Sequence, residues 1–558
     1  TTEDTAKTLR AAGATDIKIT AEEVMHTARE GFLQDSGVKT VWVDYHPALV
    51  TCTPEAFLAR LHELSSRFTC IPISGDLALL TLILQAAQPP GAVALKGAET
   101  AGFVSNETTG ILYATLREKA NHQDRCPDVM IWGGVATPEA AAAFLCSGVK
   151  GVVFESLHWQ TDLVSADRNL KQRLSRLRPE HTAVVGHGLD VACRFYDKGN
   201  SLAVKEFKQY ADTQFSCAVT EDHRRAFARR IKETVIPVLE SDLGRQDLVF
   251  MGPEAAFAPA FADRFGRSTP QALAAFLEEV ERCCWEAPQK LDGFMENAAA
   301  RFLGTRYPII QGAMTWISDT LEFAQAVSEA GGLPALALGL KSRADLEKDL
   351  DGLGEIMGQN PYAVNFIALP ENPHLEEQLA WIEQLHPPYA VIAAGDPSHA
   401  TRLQAHGIQT IYVASSADLI RMALGAGVRF VVLEGSEAGG HVGEYSTLTL
   451  AQMALELKRK EPELFRDRYV VLAGGIYNRE TAFRAFMLGA DAIQMGTAYL
   501  ATREIVATGA LSPLYQRLVV DSDPGATAIS GESVGLRVRS LKTPVIDGIC
   551  TLEREWAT

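Results

Sequence analysis

Val431–Thr447 reads VVLEGSEAGGHVGEYST, an apolar run of strand length that stops at a glycine and passes into a glycine-rich turn carrying one histidine. The same pattern occurs earlier, as VALKGAETAGFVSNETT at Val93–Thr109, with seven of seventeen positions identical and no gap. Two further pairs keep the order. GGVATPEAAAAFLCSG at Gly133–Gly148 lies over GGIYNRETAFRAFMLG at Gly474–Gly489, and TAVVGHGLDVACRF at Thr182–Phe195 lies over TAISGESVGLRVRS at Thr527–Ser540. Three blocks in one order at a slowly drifting offset form an internal repeat.

Around the later copy, apolar runs alternate with amphipathic stretches of helical length, the mark of βα units on a buried parallel sheet. Strands are expected at Pro308–Met314, Leu333–Gly339, Tyr362–Leu369, Tyr389–Gly395, Thr410–Ala414, Phe430–Gly435, Tyr469–Gly475 and Ala492–Thr497. Eight such units predict an α/β fold, a (β/α)8 TIM barrel, over residues 305–558, with a carboxyl-terminal segment on the substrate side. Residues 1–200 are read as a degenerate, non-catalytic partial copy of that barrel. It spans about residues 35 to 200, with strands at Thr40–Tyr45 and Cys70–Ser74 ahead of the matched blocks and no equivalents of strands one to three. Residues 201–304, where charged and apolar residues recur at helical spacing between Pro253, Pro259 and Pro270, are expected to form a helical connector.

Composition narrows the function. The 558 residues are 47% hydrophobic and 22% charged, a globular mix, and the net charge of −17 disfavours nucleic acid and anionic membranes as partners. Nine scattered cysteines without a CxxC pair imply reduced thiols, no metal site and a cytoplasmic setting. No apolar stretch has spanning length, and the amino end lacks a signal-peptide pattern. A start without Met and an end at EREWAT are compatible with a piece of a longer polypeptide.

A TIM barrel carries its chemistry at the carboxyl ends of its strands, and glycines cluster there. Gly474–Gly475 after strand seven and Gly496–Thr497 after strand eight offer backbone N–H groups to a phosphate. One such pair ordinarily serves only a turn; two pairs on consecutive strands favour a phosphorylated cofactor. The first copy serves as a control, with Glu155–Ser156 in place of Gly496–Thr497 and Phe103 in place of His441. A carboxylate beside the cradle would repel a phosphate, so only the second site is expected to be competent. Glu99 and Gly102 persist opposite Glu437 and Gly440, so the turn itself can survive. His441 is the candidate proton donor or acceptor at the barrel mouth. Asn365, polar within the apolar strand VNFI, needs a partner, either a cofactor ring or neighbouring backbone.

QGAMTWISD (Gln311–Asp319), SEAGGL (Ser328–Leu333), VNFI (Val364–Ile367), AAGDP (Ala393–Pro397), EGSEAGGHVG (Glu434–Gly443), VLAGGI (Val471–Ile476) and FMLGADAIQMGT (Phe486–Thr497) together resemble the flavin barrels that include nitronate monooxygenases and enoyl-acyl-carrier-protein reductase II. The latter branch extends to the reductase domains of polyunsaturated-fatty-acid and polyketide synthases. The first-strand motif and the tail TAISGESVGLRVRSLKTP look more like the reductase, while Pro334 and Asp396 depart from the usual family residues. The resemblance implies FMN held around Gly312, Ala313 and Met314, by Asn365, by Gly395, by Gly439 and Gly440, with Gln494 facing the ring or ribityl chain and the phosphate on Gly474, Gly475, Gly496 and Thr497. It places His441 beside the flavin.

The expected activity is an FMN-dependent enoyl-thioester reductase using NADPH or NADH, acting on an acyl carrier protein or other acyl thioester beside further megasynthase domains. Arg537, Arg539 and Lys542, or Lys458–Arg459–Lys460, are candidates for a basic docking patch. The alternatives are a nitronate monooxygenase with His441 as base, and an inactive structural module. A homodimer is expected to cover the edges of an open half barrel.

Overall fold

The computed structural model describes residues 10–556 apart from 12, 27, 121–125, 165–170, 173, 187–188, 198–200, 215–219, 242–248, 295, 524 and 532–533. The amino end, Cys217 and two residues in each copy of the third repeat block therefore lie outside the described residues. The chain divides into two compact units, Thr1–Glu279 with Thr551–Thr558, and Val280–Cys550. The eight described cysteines are all free thiols. Among the described residues no helix is long and apolar enough to cross a membrane.

In the first unit, six parallel strands form one sheet in the order β1 (Asp16–Thr20), β2 (Thr40–Asp44), β3 (Thr69–Ser74), β4 (Ala92–Leu95), β6 (Asp128–Trp132) and β7 (Gly151–Val153). The two-residue strand β5 (Gly102–Phe103) joins the hairpin β8 (Thr182–Val185) and β9 (Cys193–Tyr196) in a small antiparallel sheet. The helices Leu202–Gln214 and Glu221–Ser241 of the expected connector press Val204, Phe207, Phe227 and Ile231 onto the back of that hairpin, in one core with Phe103 and Phe195.

The second unit holds a closed parallel barrel of β10 (Ile309–Gln311), β11 (Leu333–Ala337), β12 (Ala363–Ile367), β13 (Tyr389–Ala393), β14 (Gln409–Ala414), β15 (Phe430–Glu434), β17 (Tyr469–Ala473) and β18 (Ala492–Met495). All eight expected strands are present. Several stop short of their expected ends because the glycines there turn the chain, with φ +77° at Gly395 and +100° at Gly474. The helix Ala298–Leu303, capped by Asn297, closes the amino end of the barrel. There Phe430 stacks on Tyr469 at 4.7 Å, and Tyr389 donates its hydroxyl to the Phe302 carbonyl at 2.7 Å. This aromatic plug leaves the carboxyl ends of the strands as the open end. The strand β16 (Gly440–His441) pairs with the hairpin β19 (Thr527–Ser530) and β20 (Val538–Leu541).

Register equates the two sheets strand by strand. The pairings Asp44 with Ile73 and Trp132 with Val153 occupy the places of Ala393 with Val413 and Ala473 with Gln494. Among the described residues the first sheet therefore contains the equivalents of strands three to eight, and none of one and two. This corrects the sequence reading at its beginning: the copy starts with β1 near residue 16, and strand three has an equivalent.

Candidate active site at the carboxyl ends of the barrel strands

The loop after β15 is built alike in both copies. The Glu437 carboxylate accepts from the Thr447 N–H at 2.9 Å and its hydroxyl at 3.0 Å; Glu99 accepts from Thr109 at 2.9 and 2.8 Å. An arginine then ties the hairpin to the loop. Arg539 donates Nε to the Ser436 carbonyl at 2.8 Å and Nη1 to the Thr527 hydroxyl at 2.7 Å, and Arg194 reaches Ala98 and Thr182 in the same way at 2.9 and 3.1 Å. The turn survives without the histidine, as Glu99 and Gly102 lead one to expect. Arg539 is thereby committed to holding the loop, and Arg537 Nη1 lies 3.5 Å from the Gly443 carbonyl.

His441 stands exposed on β16, where it pairs with Val538 while Gly440, at φ +82°, pairs with Arg539. Gly439 brings the loop against strand eight: a Cβ there would lie 3.6 Å from the Thr497 hydroxyl. Gly474 and Gly475 have φ of +100° and +68°, and a Cβ on Gly474 would come within 3.0 Å of the Ala438 nitrogen. Gly496 precedes the short helix Thr497–Leu500, and the space beside it is open to 3.7 Å, where Met314 Sδ begins. These positions form a backbone-lined hollow of the kind a phosphate fills.

The ring side is more constrained than expected. Gly312 donates its N–H to the Met495 carbonyl at 2.9 Å and Met314 donates to the Ser318 hydroxyl at 2.7 Å, so of Gly312, Ala313 and Met314 it is Ala313 whose N–H stands beside the mouth without such a role. Gln494 packs on Gly312, whose added Cβ would meet it at 3.2 Å. Asn365 is only 8% exposed, and its amide reaches the Val391 carbonyl at a long 3.4 Å. Gly395 is fixed by the turn, its carbonyl accepting from Tyr412 at 2.7 Å. Asp396 caps the Ser398 N–H at 2.8 Å, and that bond lowers its pKa.

Glu434 was missed by the sequence reading. It follows Phe430 and Val432 on the inward face of β15, and burial pushes its carboxyl up to about 7. Its signal was a carboxylate ending an apolar strand, matched in the first copy by Lys96. Trp316, 81% exposed at φ +63° in the loop after β10, was also not singled out.

The first copy fills the corresponding mouth with its own side chains. On its inward face Asp44 binds Lys96 at 3.0 Å and Lys18 at 2.8 Å, and those cations hold Asp44 well below the usual carboxylate range. Lys18 stands 4.8 Å over the Trp132 ring, which meets Trp42 at 5.7 Å. The Glu155 carboxylate is turned away from the cradle, onto the Ala101 N–H at 2.9 Å and Trp132 Nε1 at 2.8 Å. The cradle backbone is intact and filled by another carboxylate, that of Glu254, which the nearby Glu155 carboxylate repels, as the sequence leads one to expect.

The glycine-framed hollow and the histidine loop thus lie together at the carboxyl end of a closed (β/α)8 barrel. Residues 296–554 match the family model described as nitronate monooxygenase. A probable nitronate monooxygenase of Staphylococcus saprophyticus is 28% identical over 283 residues, 44% of this chain and 78% of its own length. The nitronate monooxygenase of Pseudomonas aeruginosa is 28% identical over 44% of this chain and 80% of its own. The structure of FabK from Thermotoga maritima is 32% identical, over 46% of this chain and 78% of its own, with a TM-score of 0.41. Residues 296–554 are thus similar to nitronate monooxygenases and to enoyl reductases of the FabK type, relatives that are FMN-dependent oxidoreductases.

Proposed function

We propose that the barrel is an FMN-dependent reductase of 2-enoyl thioesters, with NADPH or NADH as reductant and an acyl carrier protein or other acyl thioester as substrate. One observation supports this branch: the tail whose sequence resembles the reductase's carboxyl-terminal segment folds as β19–β20 directly onto the His441 strand. The N–H groups of Gly475, Gly496 and Thr497 would hold the FMN phosphate. Asn365, Gln494 and the backbone at Ala313, Gly395 and Gly439–Gly440 would frame the ring and ribityl chain. When bound, FMN supplies a two-electron hydride relay between the nicotinamide and the enoyl β-carbon.

His441 would donate toward the thioester carbonyl, where negative charge develops as hydride arrives at the β-carbon. Arg539 and the hairpin keep the His441 backbone in place, so that the donor need not reorganise during the reaction. Glu434, held partly protonated near neutrality by its burial, presents a carboxyl to the barrel interior without a full negative charge there. The family match and the curated relatives favour a second reading, a nitronate monooxygenase in which His441 acts as base and oxygen as oxidant.

Anaerobic titration of the flavin-loaded protein separates the two. Bleaching of the flavin band by NADPH or NADH, reversed by a 2-enoyl thioester, is the expected result. Bleaching by a nitronate with none by either nicotinamide assigns the second reading and overturns the first.

A further inference from the structure

Four N–H groups in the first unit converge on one side chain. Glu254 accepts from Gly134 on one carboxylate oxygen at 3.0 Å, and from Glu155, Ser156 and Leu157 on the other at 3.0, 2.9 and 2.8 Å. In the repeat these donors stand at the places of Gly475, Gly496, Thr497 and Ala498, which frame the phosphate hollow of the barrel. Among the described residues no side chain accepts a hydrogen bond from the barrel's four N–H groups. Glu254 arrives from far along the chain, on the turn Pro253–Phe257, and is 2% exposed. Gly252 permits the approach, since a Cβ there would lie 2.7 Å from the Glu99 carbonyl oxygen. Burial and the Glu155 carboxylate push Glu254 up to about 8, while the N–H groups of Ser156, Leu157 and Gly134 pull it down. A buried carboxyl in such a place is tolerated only because donors surround it.

We propose that Glu254 is a built-in substitute for a phosphate: the first unit retains a phosphate-monoester cradle, closed by the chain's own carboxylate, and removing that carboxylate opens it to small phosphate anions. Four donors aimed at one acid group are more than a turn requires, and they are the same backbone positions that frame the hollow in the other copy. The ligand class is small. Lys18, Asp44, Lys96 and Trp132 fill the inward face where a flavin ring would need room, so inorganic phosphate fits and FMN does not.

Thermal unfolding of the full chain saturated with FMN, as wild type, Glu254→Ala and Glu254→Gln, tests this. Inorganic phosphate at millimolar concentration is compared with sodium chloride at equal ionic strength. The barrel's own cradle is common to all three proteins, so the readout is the difference between them. Glu254→Ala should unfold at lower temperature than wild type and regain several degrees with phosphate, saturably. Wild type and Glu254→Gln, whose side chain still occupies the cradle, should not respond beyond the chloride control. An equal response in all three, or none in Glu254→Ala, overturns the proposal. If either variant does not fold, its refolding yield is read with and without phosphate or formate; recovery of Glu254→Ala by these anions supports the proposal, and recovery by neither overturns it.

Discussion

Replacing Arg539 with methionine keeps much of the side chain's bulk and removes two charge-assisted hydrogen bonds, to the Ser436 carbonyl at 2.8 Å and the Thr527 hydroxyl at 2.7 Å. Each is worth about 1.5–3 kcal/mol. The site is half-buried, so water can rehydrate part of what is lost, and about 3 kcal/mol is the expected cost to docking of the β19–β20 hairpin. At 1.4 kcal/mol per factor of ten, hairpin opening should rise about 100-fold. Amide hydrogen exchange over residues 527–541 should speed up accordingly, and kcat/KM should fall while FMN stays bound. The chain carries its own control. Arg194→Met cuts the matching bonds to Ala98 and Thr182 at a buried site and should loosen the β8–β9 hairpin at least as much, with kcat/KM unchanged. Wild-type exchange in Arg539→Met, or equal activity losses in the two variants, would refute the assignment of Arg539 to the His441 loop.

His441→Ala should retain the flavin spectrum and lose about 10²–10⁴-fold in turnover, the usual contribution of a positioned proton donor, measured by single-turnover reoxidation with substrate. Gly395→Ala places a Cβ 1.9 Å from the Ala368 carbonyl oxygen at φ +77°, so it should cost more than about 3 kcal/mol and lower both Tm and FMN content. Glu434, raised to about 7 against 4.5 when unperturbed, favours its protonated form in the fold. Stability of the FMN-free protein should thus fall as pH rises from about 4.5 through about 7, and Glu434→Gln should remove that part of the slope in denaturant titrations. Lys96→Met leaves buried Asp44 with Lys18 alone; a loss near the lower end of about 3–5 kcal/mol is expected in denaturant unfolding of the first unit, with the flavin spectrum unchanged.

The barrel was legible because its strands are short apolar runs, several of them ending at glycine, a signal local to a few residues. The earlier copy was harder for a physical reason. Its matched blocks cover the strands that carry the loops, whereas β1, DIKIT, alternates charge and isoleucine and places Lys18 inward, at the register of Asn365. There Lys18 pairs with Asp44 on the next strand, a contact no sequence window contains. Glu254 left a faint trace, one carboxylate inside the apolar stretch FMGPEAAFAPAF, but its donors lie about a hundred residues away. Arg539 was read as surface charge although the repeat sets Arg194 at the same place, and that identity was the available clue.

That the described first sheet holds no equivalents of strands one and two bears on how the halves fold. Every pairing there joins strands that are neighbours in sequence, apart from the short excursion through β5, so it can grow in order as the chain is synthesised. The barrel cannot finish that way: its closing seam joins Ile309 to Ile493, and the first strand has to wait for the last. Closing so long a loop is entropically slow, and until it closes β10 and β18 each expose an unpaired edge. The open sheet should therefore reach its native hydrogen bonding first, and pulse-labelled amide exchange during refolding would be expected to protect β2 and β3 before β10.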